Sequence, residues 1–142
     1  MKKLYGVVVP IVTPLTQEDA IDVTSLKRLA DHCIDSGMQA IYPCGTTGEM
    51  MYLSVEERRL VAETVVRHAA GRVPVFVHVG AWNLRDTVEL AKHAAEIGAD
   101  GIAVVTPAFF SVRDQGLVDY FTTVAKSVPQ DFPVYLYPIP PC

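Results

Sequence analysis

Cysteine is scarce in this sequence. Among its 142 residues are three, Cys33, Cys44 and Cys142. The number is odd and no metal-type spacing joins them, so they read as reduced thiols of a cytoplasmic protein and not as a disulfide framework. No set of histidines and carboxylates has the spacing of metal ligands, and neither a metal nor a cofactor is expected. Long hydrophobic runs are missing too: nothing approaches the roughly 20 apolar residues of a membrane span. The opening "MKKLYGVVVPIVTPL" imitates a secretory leader. However, Pro10 and Pro14 break its apolar run, no small-residue cleavage site follows, and a short buried strand explains "GVVVP". Charge of one sign is also thin. Twelve Lys and Arg face 16 Asp and Glu for a net charge of −4, and the basic residues are scattered, which excludes a nucleic-acid footprint.

What is present is an alternation. Half the residues are hydrophobic and 20% are charged, the balance of a globular chain. Short runs rich in β-branched residues occur at 6–10 (GVVVP), 39–44 (QAIYPC), 74–79 (PVFVHV), 100–107 (DGIAVVTP) and 133–138 (PVYLYP). They are almost continuously apolar, the pattern of parallel strands covered on both faces. Helical patterns lie between them. The first runs from Thr24 through Leu26, Leu29, Ala30, Cys33 and Ile34 to a stop at Gly37. Ser54 and Glu57 form a capping box for the second, which carries Leu60, Val61, Thr64 and Val65. The third spans about Leu84 to Ile97 with Gly98 as its stop, and the fourth presents Leu117, Phe121, Val124 and Ala125.

The order βαβαβαβαβ predicts an α/β protein with a parallel sheet and right-handed crossovers. No linker divides residues 1–142, which read as one structural unit. Two architectures remain open on pattern alone: a five-stranded doubly wound sheet, or the N-terminal portion of a (β/α)₈ TIM barrel, about five strands and four helices.

Either architecture places ligands at the carboxyl ends of the strands. The turn Gly45-Thr46-Thr47-Gly48-Glu49 stands at one such end. Its glycines let the backbone turn sharply, and successive N–H groups with two hydroxyls suit an anion such as a carboxylate. It is neither a Walker loop nor a dinucleotide GxGxxG, and a plain strand-to-helix connection is the competing reading. Tyr137 closes the last strand. A phenol in general titrates near pH 10 and is a poor base alone, so it shuttles protons only with a neighbouring hydroxyl, and a core tyrosine is the competing reading. His78 lacks a partnered acid nearby in sequence and Cys44 lacks a base. Both read as structural.

"GTTGE" after the second strand, "VTP" ending the fourth and "YLYPIP" ending the fifth, with "GVVVPIVTPL" and "LSVEERRLV", together resemble the dihydrodipicolinate synthase/N-acetylneuraminate lyase family over essentially all 142 residues. The resemblance implies the TIM barrel. It also implies a class I aldolase that makes or cleaves a carbon–carbon bond between pyruvate and an aldehyde through a lysine Schiff base. Carried onto this chain, Thr46, Thr47 and Gly48 would hold the pyruvate carboxylate, and Thr46 would join a proton relay with the catalytic Tyr137. A homo-oligomer, dimer or tetramer, is implied as well, with no membrane or nucleic-acid partner.

Three departures accompany the resemblance. The imine-forming lysine belongs to a sixth strand, which lies beyond Cys142. Lys2, Lys3, Lys27, Lys92 and Lys126 stand at the N-terminus or on predicted helices, so this chain is expected to be inactive alone. Phe109 and Phe110 stand where synthases carry a relay tyrosine. The arginine that synthases carry after the strand-5 tyrosine does not appear in "YPIPPC". "VHVG" at 77–80 leans toward the lyase side of the family. The rival expectation is a non-enzymatic half-barrel that binds a keto acid or assembles with a partner.

Overall fold

Local caps set most of the helix starts. Asp22 accepts the Ser25 N–H at 2.9 Å and opens α1 (Val23–Asp35). The capping box expected for α2 (Val55–Ala69) is present in both directions: Glu57 N–H donates to Ser54 Oγ, and Ser54 N–H donates to Glu57 Oε2 at 2.7 Å. Asn83 caps α3 (Leu84–Glu96) by accepting the Asp86 N–H, whereas α4 (Asp114–Lys126) starts without a side-chain cap. Gly37 and Gly98, one residue beyond the C-caps of α1 and α3, both take φ +80°, which a residue with a Cβ adopts only at a cost. Replacing Ser54 by alanine is expected to cost about 1 kcal/mol of stability, read from the urea midpoint. An unchanged midpoint would show that packing alone sets the start of α2.

The computed structural model describes residues 5–108 and 111–139. The expectations placed on Lys2, Lys3, Phe109, Phe110 and Cys142 lie outside the described residues. Five strands alternate with the four helices: β1 (Val8–Pro10), β2 (Ala40–Tyr42), β3 (Phe76–His78), β4 (Gly101–Val105) and β5 (Val134–Tyr137). All are shorter than the apolar runs that announce them.

Strand order decides between the two architectures. β1 pairs parallel with β2, β3 with β4, and β4 with β5. A parallel bridge between Ile41 and Val75 joins the two groups, and the His78 N–H donates to the Pro43 carbonyl at 3.1 Å. The spatial order is therefore the chain order, 1-2-3-4-5. A doubly wound sheet reverses direction at a switch point, and this one does not. Right-handed crossovers that always step the same way leave every helix on one face. Each helix accordingly packs on its neighbours, α1 on α2, α2 on α3 and α3 on α4. The chain folds as the N-terminal part of a TIM barrel.

The period of two along each strand then assigns its faces. Ile41, Val75, Val77, Val79, Ile102 and Val104 point toward the helices and form the core with Leu26, Val61, Val65, Leu90 and Val124. Tyr42, Phe76, Ala103, Tyr135 and Tyr137 face the barrel interior, where Phe76 and Tyr135 meet edge to face at 5.0 Å. Two residues on predicted apolar stripes, Leu60 and Ala125, face solvent instead. The buried stripe of α2 runs through Arg58, Val61, Ala62 and Val65, and that of α4 through Tyr120 and Val124.

Ion pairs tie the helix layer together. His68 and Arg72 of the α2 end both reach Asp31 of α1, at 2.9 and 2.8 Å. One step along, Glu63 meets His93 of α3 at 2.9 Å and Arg67 at 3.2 Å. Hydrogen bonds from His68 and then Arg72 hold the Asp31 carboxyl below its ordinary value of 3.8. The bond from His93 does the same for Glu63, whose ordinary value is 4.5. A lowered folded pKa means that the unfolded chain binds the proton more readily. The contribution to stability is thus whole above these ordinary values and is lost as pH falls through the lowered ones. Stability is expected to fall steadily below about pH 4.5, by a small amount because both carboxylates are open to solvent. Urea midpoints between pH 7 and 3 check this, and an Asp31→Asn, Glu63→Gln variant should show a flatter acid limb.

Candidate active site

The end of β2 turns abruptly. Cys44 takes φ 60° and Glu49 φ 57°, left-handed conformations that persist in side-chain-bearing residues only where the surroundings enforce them. Between them the turn closes on itself. Gly45 carbonyl accepts the Gly48 N–H at 3.0 Å, and Thr46 carbonyl accepts the Glu49 N–H at 3.0 Å. Carbonyls are used up in this way while donors are left over. Thr46 and Thr47 are exposed, and neither their N–H groups nor their hydroxyls have a partner among the described residues. These are the donors on which the sequence reading of an anion site rests.

Gly48 is fixed by its neighbours. A Cβ there would lie 3.1 Å from the Ile11 carbonyl, 3.2 Å from Thr13 Oγ1 and 3.3 Å from the Cys44 nitrogen. The Thr13 hydroxyl donates to the Gly48 carbonyl at 2.8 Å, so the loop after β1 locks the turn after β2. On the other side the Tyr42 ring would stand 2.8 Å from a Cβ at Gly45. The turn is clamped between β1 and a tyrosine.

Tyr137, at the end of β5, is 45% exposed and lines an interior cavity of about 220 Å³ with Tyr42, Val8, Phe76 and Tyr135. The Tyr42 hydroxyl is buried without a partner among the described residues. Burial pushes its phenol well above the usual range, and the neighbouring Tyr137 adds to the shift. Thr46 lines a separate cleft of about 420 Å³ with Val105, Thr106, Pro107 and Ile139. Thr46 and Tyr137 therefore stand on the same rim of the barrel, but no hydrogen bond joins them among the described residues.

His78 is 1% exposed and packs edge to face on Tyr42 at 5.9 Å. Burial, and then the charge of Arg58, push its imidazole down to about 3, so it is neutral at physiological pH. Cys44 is buried, sits 3.7 Å from the Arg58 carbonyl, and is pushed up to about 11 by burial. A thiol of that pKa is no nucleophile at neutral pH. Lys27, Lys92 and Lys126 are exposed on α1, α3 and α4, away from the strand ends. Among the described residues no cluster of three His, Cys, Asp or Glu is arranged to hold a metal ion, and no helix is long and apolar enough to cross a membrane.

Sequence reasoning missed Thr13 as a lock, Tyr42 as a second phenol, and Arg58. For Arg58 a signal existed: it occupies the i−3 position of the apolar stripe Val61, Ala62, Val65.

Comparison with known proteins places these features in context. The sequence model of the dihydrodipicolinate synthetase family matches residues 3–142. N-acetylneuraminate lyase of Rattus norvegicus is 43% identical over 142 residues, 98% of this chain and 44% of that protein. 4-Hydroxy-tetrahydrodipicolinate synthase of Acidiphilium cryptum is 39% identical over 137 residues, 96% of this chain and 46% of that protein. The chain thus spans somewhat under half the length of these relatives. Among solved structures, YagE of E. coli K12, a member of the dihydrodipicolinic acid synthase family crystallised with pyruvate, superposes with a TM-score of 0.91 at 37% identity. The match covers 95% of this chain and 45% of that one.

Proposed function

Because the chain belongs to the dihydrodipicolinate synthetase family, we propose that the protein is a pyruvate-dependent lyase or aldolase working through a Schiff base. It makes or cleaves the carbon–carbon bond between pyruvate and an aldehyde. The observation that carries this reading is the clamped turn after β2, whose Thr46 and Thr47 donors have no partner among the described residues and which lies on the same rim as the end of β5. A carboxylate seated there accepts from the Thr46 and Thr47 N–H groups and hydroxyls, and such charge-assisted bonds are stronger than neutral ones. Gly48 lets the turn pack against the loop after β1, which holds the Thr46 and Thr47 donors in place.

With the carboxylate held, the keto carbon points toward the barrel interior, where the imine forms. The reading takes the lysine that forms it to lie outside residues 1–142; among the described residues Lys27, Lys92 and Lys126 all lie on the outer helices. The protonated imine withdraws electrons, and carbon–carbon bond formation or cleavage follows at the adjacent carbon. Tyr137 moves the protons of carbinolamine collapse and of the aldol oxygen. Thr46 serves as its relay, reached through bound substrate and not by a direct bond. Residues 1–142 act as one unit of a single barrel domain, and the 142-residue chain alone is inactive. Relatives of both the lyase and the synthase kind match, so the reading commits to the pyruvate half of the reaction. It includes a cytoplasmic dimer or tetramer, a setting consistent with the free, buried thiols of Cys33 and Cys44.

An aldehyde-independent assay tests it. An imine in equilibrium with its enamine exchanges the methyl protons of pyruvate, so the full-length protein in D₂O should erase the methyl proton signal. Failure to accelerate the exchange would favour a keto-acid-binding half-barrel without chemistry.

A further inference from the structure

Arg58 reaches from the first turn of α2 into the layer between helices and sheet, where it is only 3% exposed. Its Nη1 donates to the Gly80 carbonyl at 2.8 Å and its Nη2 to the His78 carbonyl at 2.9 Å. Its Nε has no partner among the described residues, and none of the ion pairs there includes it. Asp86 feels its charge but bonds to Asn83 and Arg85 instead. The groups around the guanidinium are the Cys44 thiol and the Tyr42 and Tyr120 phenols, all protonated and neutral at physiological pH, and the Arg58 charge also reaches the neutral His78.

A buried cation without a counter-ion is costly, and two carbonyl dipoles offset only part of that cost. A positive charge to which no carboxylate is bonded among the described residues thus lies behind the strand-2 end, with Asp86 acting on it only at longer range. Cys44, which that charge reaches, immediately precedes the turn whose Thr46 and Thr47 donors have no partner among the described residues. Arginine suits the place because its planar fork meets two carbonyls at once and its charge is permanent.

We propose that Arg58 is the residue that makes the Thr46–Thr47 turn selective for a carboxylate. Its buried guanidinium attracts the anion from behind, while its two hydrogen bonds hold the loop after β3 against α2. It touches no reacting atom and acts as a positioning and charge-supplying residue. The inference rests on the reading of the turn as a carboxylate site.

The test compares pyruvate with its uncharged methyl ester in the proton-exchange assay, using the full-length protein as wild type, Arg58→Met and Arg58→Gln. Arg58→Met is expected to raise KM for pyruvate on the order of tenfold, the size of a unit charge roughly 10 Å away at an effective dielectric near 20. The ester's KM should move by less than about twofold. Equal losses for acid and ester in Arg58→Met would make Arg58 merely structural and overturn the inference. If Arg58→Met does not fold, Arg58→Gln, which keeps a donor for the carbonyls but removes the charge, decides: a raised KM for pyruvate with the ester's unchanged supports the inference, and equal changes for both overturn it. A wild-type protein that does not prefer the acid would refute the carboxylate site itself. A wild-type preference left untouched in Arg58→Met would refute only the role of Arg58.

Discussion

Replacing Tyr137 by phenylalanine in the full-length protein is expected to lower kcat about 10²- to 10⁴-fold, the range that a positioned proton-transfer group contributes. The substitution deletes one oxygen and keeps the ring, which lines the interior cavity beside Tyr42 and Tyr135. Packing is therefore preserved, and Tm should stay within a few degrees, since surface-accessible changes of this kind cost about 0.5 kcal/mol or less. In the proposed role the phenol acts in partnership, because a phenol alone is a poor base at neutrality. KM for pyruvate should change little, since the proposed carboxylate site belongs to a different element, the turn after β2. A purely structural tyrosine would give the opposite pattern, with kcat intact and Tm reduced. Single-turnover kinetics with Tm measured alongside separates the two.

The second large effect belongs to Thr47. Its side chain is exposed and makes no hydrogen bond among the described residues, so Thr47→Val removes a hydroxyl without breaking anything in the fold. A hydrogen bond to a charged group contributes about 1.5–3 kcal/mol, so KM for pyruvate should rise roughly 10- to 150-fold. The turn itself should survive, because its closure uses the backbone of Gly45, Thr46, Gly48 and Glu49 and the clamp from Thr13. Thr47 is a cleaner probe than Thr46, whose proposed relay role would move kcat as well. A Thr47→Val variant with unchanged KM would place the carboxylate elsewhere.

The features legible in the sequence were those written in neighbouring residues. The Ser54–Glu57 capping box spans one helical turn, and the glycine stops at 37 and 98 are single-residue signals. The turn at 45–49 announces its own geometry. What escaped depended on the third dimension. Thr13 and Gly48 meet across 35 residues of chain, and nothing local to either predicts the bond. The choice between a doubly wound sheet and a barrel turned on the Ile41–Val75 bridge, a pairing between strands that each look alike in sequence. Arg58 was hidden by its type, since an arginine on a helix is ordinarily taken as solvated. Only its phase with Val61 and Val65 said otherwise. Tyr42 was passed over because a tyrosine inside an apolar run reads as packing, and its meeting with Tyr137 joins β2 to β5.

The claim on which the rest depends is that pyruvate forms an imine within a barrel whose carboxylate turn and proton-moving tyrosine lie in these residues. Borohydride reduction of the full-length protein with pyruvate, followed by peptide mass analysis, measures it directly. The expected result is one reduced pyruvate adduct per chain, on a lysine outside residues 1–142 and strongly diminished in Thr47→Val at subsaturating pyruvate. No adduct at saturating pyruvate, or one on Lys27, Lys92 or Lys126, would contradict it.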